Sequence, residues 1–112
     1  MGIRSDVGLA FKQELWDQVK DNKVFSFLTE EGTLHDDEDE GVLFVFENVK
    51  WYREADDDIV NLYAKLNELN EDDFLVVQAC HDYPTSEEGD LGNWFDNPWN
   101  LHRSVRVELN VD

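Results

Sequence analysis

Residues 42–52, Val42-Leu43-Phe44-Val45-Phe46-Glu47-Asn48-Val49-Lys50-Trp51-Tyr52, decide the fold. β-Branched and aromatic side chains fill this run, and they suit a pleated, packed surface. Its first five residues are apolar on both alternating faces, so the strand needs cover on both sides, at least in part. That makes it a central strand around which the remaining segments must be arranged.

Working outward, residues 53–58 (READDD) supply a helix start, because acids in a first turn face the positive end of the helix dipole. Ile59, Leu62, Tyr63, Leu66 and Leu69 follow at the spacing of an amphipathic helix, which residues 70–73 end. Residues 74–79 (FLVVQA) form a further strand. On the other side, residues 30–41 (EEGTLHDDEDEG) hold seven acids and little apolar content, and read as a solvated acidic loop. Before it, residues 23–28 (KVFSFL) fit either a helical turn or a short strand. Phe11, Leu15, Trp16 and Val19 have helical spacing, closed by Asp21 and Asn22. Residues 3–11 alternate, with Val7, Leu9 and Phe11 on one face and Asp6, Gly8 and Ala10 on the other.

Towards the end, residues 81–101 form a long loop rich in aromatics and acids, with Pro84, Pro98, Gly89, Gly92 and two tryptophans. Val105, Val107, Leu109 and Val111 then alternate with polar residues as a last strand. The order β-α-β-α-β-β over residues 1–112 predicts one α+β domain. The expectation is a mixed or antiparallel four-stranded sheet with two helices on one face, a ferredoxin-like variant.

Charge is the strongest compositional signal: 27 Asp and Glu oppose 9 Lys and Arg, a net −18 on 112 residues. Such acid repels itself in a compact state, which is easier to understand if the charge has a use. Disorder does not explain it, because 41% of the residues are hydrophobic and 12% aromatic, enough for a core. One cysteine, Cys80, rules out an intramolecular disulfide. The start of the chain lacks a basic-then-apolar leader, and no apolar run nears the roughly 20 residues of a membrane helix. A soluble cytoplasmic protein is the expectation.

Chemistry is sparse. His35, His81 and His102 are dispersed, and Cys80 next to His81 on a strand would point to the opposite face. Neither a nucleophile elbow nor a glycine-rich phosphate loop occurs. One Cys and three scattered His lack zinc spacing. Asp36, Glu38, Glu40, Gly41 and Glu47 fall at positions 1, 3, 5, 6 and 12 of a calcium-loop pattern. The strand that follows Gly41 conflicts with the helix that such a loop requires. Direct nucleic-acid binding is disfavoured, since the basic residues are scattered among acids. The expectation is a non-enzyme with neither metal nor cofactor. An acidic accessory protein that responds to calcium through residues 36–47 is the alternative.

The acids themselves fall into clusters: Glu30 and Glu31; Asp36, Asp37, Glu38, Asp39 and Glu40; Glu54 with Asp56, Asp57 and Asp58; Glu71, Asp72 and Asp73; Glu87, Glu88 and Asp90. Each alone reads as a solvated surface. Five on one small domain suggest a rigid array of carboxylates standing in for phosphates, one that would occupy the groove of a basic, nucleic-acid-binding protein. Trp94 and Trp99, beside Phe95, are candidate interface anchors. The competing possibility is that they fold back over the sheet to hold the long loop down.

Several short motifs carry a resemblance. Met1-Gly2-Ile3-Arg4-Ser5-Asp6-Val7 opens the chain, and Val49-Lys50-Trp51-Tyr52 stands mid-chain. Gly89-Asp90 and Asn97-Pro98-Trp99 precede Arg103-Ser104-Val105. Together they resemble a family of small acidic phage and prophage proteins, mostly uncharacterised. Its members begin MGxRS-V, end a central strand in (I/V)KWY, and carry a GD…PW loop before a closing RS-(I/V) strand. Gln78-Ala79-Cys80-His81 departs from that family's RIGE-like stretch. The resemblance implies a phage origin, expression in a host cytoplasm, and by analogy a role in blocking host defence or nucleic-acid enzymes. It brings no catalytic residues.

Overall fold

The structure is a computed structural model that describes residues 4–37, 40–53, 56–82, 89–99, 101–103 and 107–108. The elements run β1 (Ser5–Lys12), α1 (Gln13–Val19), α2 (Ser26–Glu31), β2 (Thr33–Asp37), β3 (Gly41–Val49), α3 (Asp57–Leu66), β4 (Phe74–Cys80), β5 (Leu91–Gly92), β6 (His102–Arg103) and β7 (Val107–Glu108). Single 3-10 turns occupy Lys23–Phe25 and Glu71–Asp73. The fold is α+β. Five strands form one sheet in the order β2-β3-β1-β4-β5, antiparallel at every pairing. A four-stranded sheet and two helices were expected; among the described residues the sheet gains β2 and β5, lacks the expected last strand, and is accompanied by a third helix, α2.

Two layers of cover explain the strand sequences. Val7, Leu9, Phe11, Phe44, Phe46 and Val76 point to one face, where Leu15, Trp16 and Val19 of α1 and Ile59, Leu62 and Leu66 of α3 close over them. Phe11 is fully buried at the centre, with ring centroids 5.5 Å from Trp16, 5.9 Å from Phe25 and 6.3 Å from Phe44. Truncating a ring so placed costs about 3–5 kcal/mol. On the opposite face, Ala10, Leu43, Val45, Leu75 and Val77 pack under Trp94, Trp99 and Leu101. Every residue of β1 from Ser5 to Phe11 is therefore buried, although the sequence alternates.

The strand of residues 42–52 is interior, as its composition requires, but it stops at Val49. Its register with β1 shifts between Ser5 and Val7, where three residue steps of β3 oppose two of β1. Asn48 lies in this bulge at φ 54°, a left-handed conformation that Asn tolerates. The Asn48 amide donates to the Asp6 carboxylate at 2.9 Å, which anchors the bulge. Gly41 begins β3 where the Phe11 carbonyl leaves no room for a Cβ. That close approach accounts for the glycine that suggested a calcium loop.

Residues 30–41 are not one solvated loop. Their start completes α2, and Thr33–Asp37 pair with β3 as an edge strand, with Thr33 opposite Val45 and Asp37 opposite Gly41. Leu34 on this edge is half exposed. The ambiguous stretch at residues 23–28 is helical, because the Asn22 side chain accepts from the Val24 amide at 3.1 Å and starts the turn. The long loop of residues 81–101 contains β5. Of the expected last strand, Val107 and Glu108 pair with His102 and Arg103 in a separate two-stranded ribbon. Residues 105, 106 and 109–111 lie outside the described ones.

Candidate functional site

The antiparallel register divides the acids between the two ends of the sheet. Lys12 pairs with Gly41, and Phe11 pairs with both Val42 and Phe74. The β2–β3 turn, with Asp36, Asp37 and Glu40, therefore lies at the same end as the turn of Glu71, Asp72 and Asp73. Backbone contacts tie this end together. The Gln13 amide donates to the Glu40 carbonyl at 3.0 Å, so the acidic turn supplies the first amide of α1 with its acceptor. Lys12 Nζ is 3.5 Å from Asp73 Oδ1, and both side chains are exposed, so this pair contributes little stability.

At the other end of β3, a cleft of about 350 Å³ opens between α2, the strand end and the start of α3. Phe27, Phe46 and Trp51 form an aromatic wall, with ring centroids 5.3–6.1 Å apart. Glu31, Asp56 and Asp58 also line it, together with Lys50. Asp56 additionally caps α3, its Oδ1 accepting from the Asp58 amide at 3.0 Å and the Ile59 amide at 3.4 Å. Glu31 thus lines the same cleft as Asp56 and Asp58, which lie some 25 residues further along the sequence. The nine residues of β3 separate this end from the Asp36–Glu40 end by about 27 Å.

Not every candidate side chain is presented to a partner. Trp94 and Trp99 are each 6% exposed and meet edge to face at 6.2 Å over the sheet. They cover the second core and are not surface anchors. The loop stays in place because Asn97 donates to the Trp94 carbonyl at 3.0 Å and accepts from the Leu101 amide at 2.9 Å. Phe95, between them, is 68% exposed. Asp90 is half-buried, and its Oδ1 accepts from the Gln78 amide at 3.0 Å, so it ties the loop to β4. Asp57 is exposed in the first turn of α3. Glu38, Asp39, Glu54, Glu87 and Glu88 lie outside the described residues, as does the side chain of Asp37.

The calcium pattern does not close. Asp36 faces Val42 across the hairpin, which leaves Glu47 five residues further along β3, about 17 Å away. Calcium ligands sit within about 2.6 Å of the ion, so these two carboxylates cannot share one. Among the described residues no group of three or more His, Cys, Asp or Glu is placed to hold a metal.

Sequence reasoning passed over two polar features. Asp6 is buried at 2% exposure and lies 3.0 Å from His81 Nε2, fastening β1 to the end of β4. Nothing local marks it, because its partners are 42 and 75 residues away. Tyr63 donates from its hydroxyl to the Gly89 carbonyl at 2.7 Å and accepts from Trp51 Nε1 at 3.1 Å. Burial pushes its pKa up to about 12, opposed by the Trp51 hydrogen bond and Arg53 and assisted by Asp90. No helix of the described residues is long and apolar enough to cross a membrane. Comparison with protein-family models, curated proteins and solved structures found no match to the chain.

Proposed function

We propose that the protein is a non-enzymatic inhibitor of phage origin, acting in the host cytoplasm as a nucleic-acid mimic. Its carboxylates occupy the nucleic-acid site of a basic host protein, such as a restriction, CRISPR, recombination or transcription factor. One quantity carries this reading. The chain carries eighteen net negative charges and its longest dimension is 39 Å, a ratio of one per about 2.2 Å. Duplex DNA carries one per about 1.7 Å of its axis. The placement of the acids supports it further, since the two acidic ends of β3 are as far apart as about eight phosphate steps along one strand. Strand pairing fixes the backbone of Asp36 and a capped helix fixes that of Asp57 and Asp58, so little backbone freedom is lost there on docking.

The β-α-β-β-α-β succession of the first four strands, laid out 2-3-1-4, supports the ferredoxin-like variant as the finer description of the frame. That fold hosts many functions and adds nothing to the functional reading.

Immobilised protein in host lysate at low salt tests the proposal. The expected result is one nucleic-acid enzyme retained stoichiometrically and released by competing duplex DNA. Charge reversal of Asp36 with Glu40 should weaken that binding while the thermal midpoint holds, and charge reversal of Asp57 with Asp72 should weaken it with a midpoint lower by a few degrees, because Asp57 faces the positive end of the α3 dipole. Unchanged affinity in both variants, or a diffuse set of basic proteins lost together at slight salt, would sink the mimic.

A further inference from the structure

The outer side of β2 offers backbone that the fold leaves unclaimed. Thr33–Asp37 pair with β3 on one side, and among the described residues no backbone hydrogen bond reaches them from any other element. An edge strand turns alternate N–H and C=O groups away from its sheet, where another strand can take them. Thr33, Leu34 and Asp36 are exposed, so the edge is open. It has five residues without a proline, long enough to pair.

The sign of the charge selects the strand that docks. Residues 24–49 hold eight acids and neither Lys nor Arg. A proline or a bulge guards an edge against every strand, whereas charge guards it only against strands of like sign. A second copy of this chain would bring eight more acids to the same edge, and like charges opposed across a strand pair are destabilising. A basic strand meets the opposite field.

We infer that β2 takes an extended, basic segment of a partner protein as an added strand. Main-chain hydrogen bonds supply the affinity and side chains the choice. Residues directly opposite in an antiparallel pair share a face. Leu34 lies opposite Phe44 and Asp36 opposite Val42, so both stand on the helix-covered face. The fitting segment therefore carries an apolar residue and a Lys or Arg two positions apart. This goes beyond the mimic reading, since backbone pairing requires no imitation of phosphate.

The probe is the end-capped heptapeptide Thr-Lys-Thr-Val-Thr-Lys-Thr, titrated into the intact chain and followed by amide NMR. The amides of Thr33–Asp37 should shift first, saturably, and gain protection from exchange. Thr-Lys-Val-Thr-Thr-Lys-Thr has the same composition with Val and Lys on opposite faces, and should bind about threefold more weakly. Two further peptides carry backbone N-methyl groups, one on the even residues and one on the odd. Strand addition needs the donors of one set only, so one peptide should bind like the parent and the other at least about tenfold more weakly. Asp36→Asn should weaken the parent about threefold, and Glu68→Gln, an equal loss of charge beyond α3, should leave it unchanged.

Equal binding of the two methylated peptides would overturn the inference, because charge adhesion ignores backbone donors. Shifts centred away from β2 would overturn it as well. So would β2 amides that change with protein concentration alone, which would assign the edge to a second copy. These three observations use the wild-type chain. The two proposals fail separately. An empty β2 edge alongside a host partner that DNA displaces keeps the mimic and removes the added strand. A peptide seated on β2, with no partner that DNA displaces, does the reverse.

Discussion

Trp99→Ala separates the two roles that an aromatic residue in the long loop can have. Trp99 is 6% exposed and packs with Trp94 over Leu43, Val45, Leu75 and Val77. Truncating a buried tryptophan costs about 3–5 kcal/mol, lost burial and residual cavity together. A domain of this kind holds about 5–15 kcal/mol in all, so the change removes a large fraction of its stability. At roughly 2.1 cal/mol/K of unfolding entropy per residue, 4 kcal/mol on 112 residues lowers the midpoint by about 17 °C. Thermal unfolding followed by circular dichroism measures it, with Phe95→Ala as the control. Phe95 is 68% exposed, and its truncation should move the midpoint by no more than about 2 °C. The reasoning is refuted if Trp99→Ala melts within about 3 °C of wild type and loses partner binding instead. That outcome would make Trp99 an anchor and the second core dispensable.

Three further outcomes follow from the same structure. Tyr63 stays neutral in the fold up to about pH 12, while in the unfolded chain it ionises near pH 10. Its contribution, on the order of 2 kcal/mol, is full below pH 10 and lost as the pH rises to 12; urea titrations of wild type against Tyr63→Phe should converge across that window. Asp56→Ala removes the acceptor for two amides of α3 and should cost about 1 kcal/mol, with Asp56→Asn restoring most of it; equal melting of the two variants would exclude capping as the cause. Raising salt from about 10 mM to about 1 M shortens the screening length from about 30 Å to about 3 Å, so the thermal midpoint should rise by several degrees, and a flat response would mean that self-repulsion is negligible here.

The parts of the fold legible in the sequence are those where local chemistry and tertiary environment agree. Residues 42–46 are apolar on both alternating faces because both faces are covered. The stripe Ile59, Leu62 and Leu66 is periodic because a single side of α3 is buried. β2 escaped notice for the opposite reason. Thr33, Leu34 and Asp36 are exposed, and backbone pairing to β3 holds the strand, so no side-chain pattern records it. β1 alternates in sequence yet is buried from Ser5 to Phe11, because helices cover one face of the sheet and Trp94, Trp99 and Leu101 the other. The acid clusters were legible as clusters. Their division between two ends of the sheet was not, because it follows from the register of β1 against β3 and β4. The cleft joins α2 to the start of α3, a juxtaposition that no spacing in the chain reveals.

The two edges of the sheet are unequal, and this affects how the molecules behave toward one another. β5 has two residues, too few to template a neighbouring chain, whereas β2 has five. A five-residue edge with a half-exposed leucine invites a second sheet to dock, and Asp36 beside it is the deterrent. Such deterrence depends on the reach of the charge. At about 1 M salt the screening length falls to about 3 Å, repulsion between copies fades, and the same edge becomes adhesive. Light scattering should then rise with added salt while the far-ultraviolet spectrum still reports a folded sheet. The same acidity keeps a crowded population of these molecules colloidally apart.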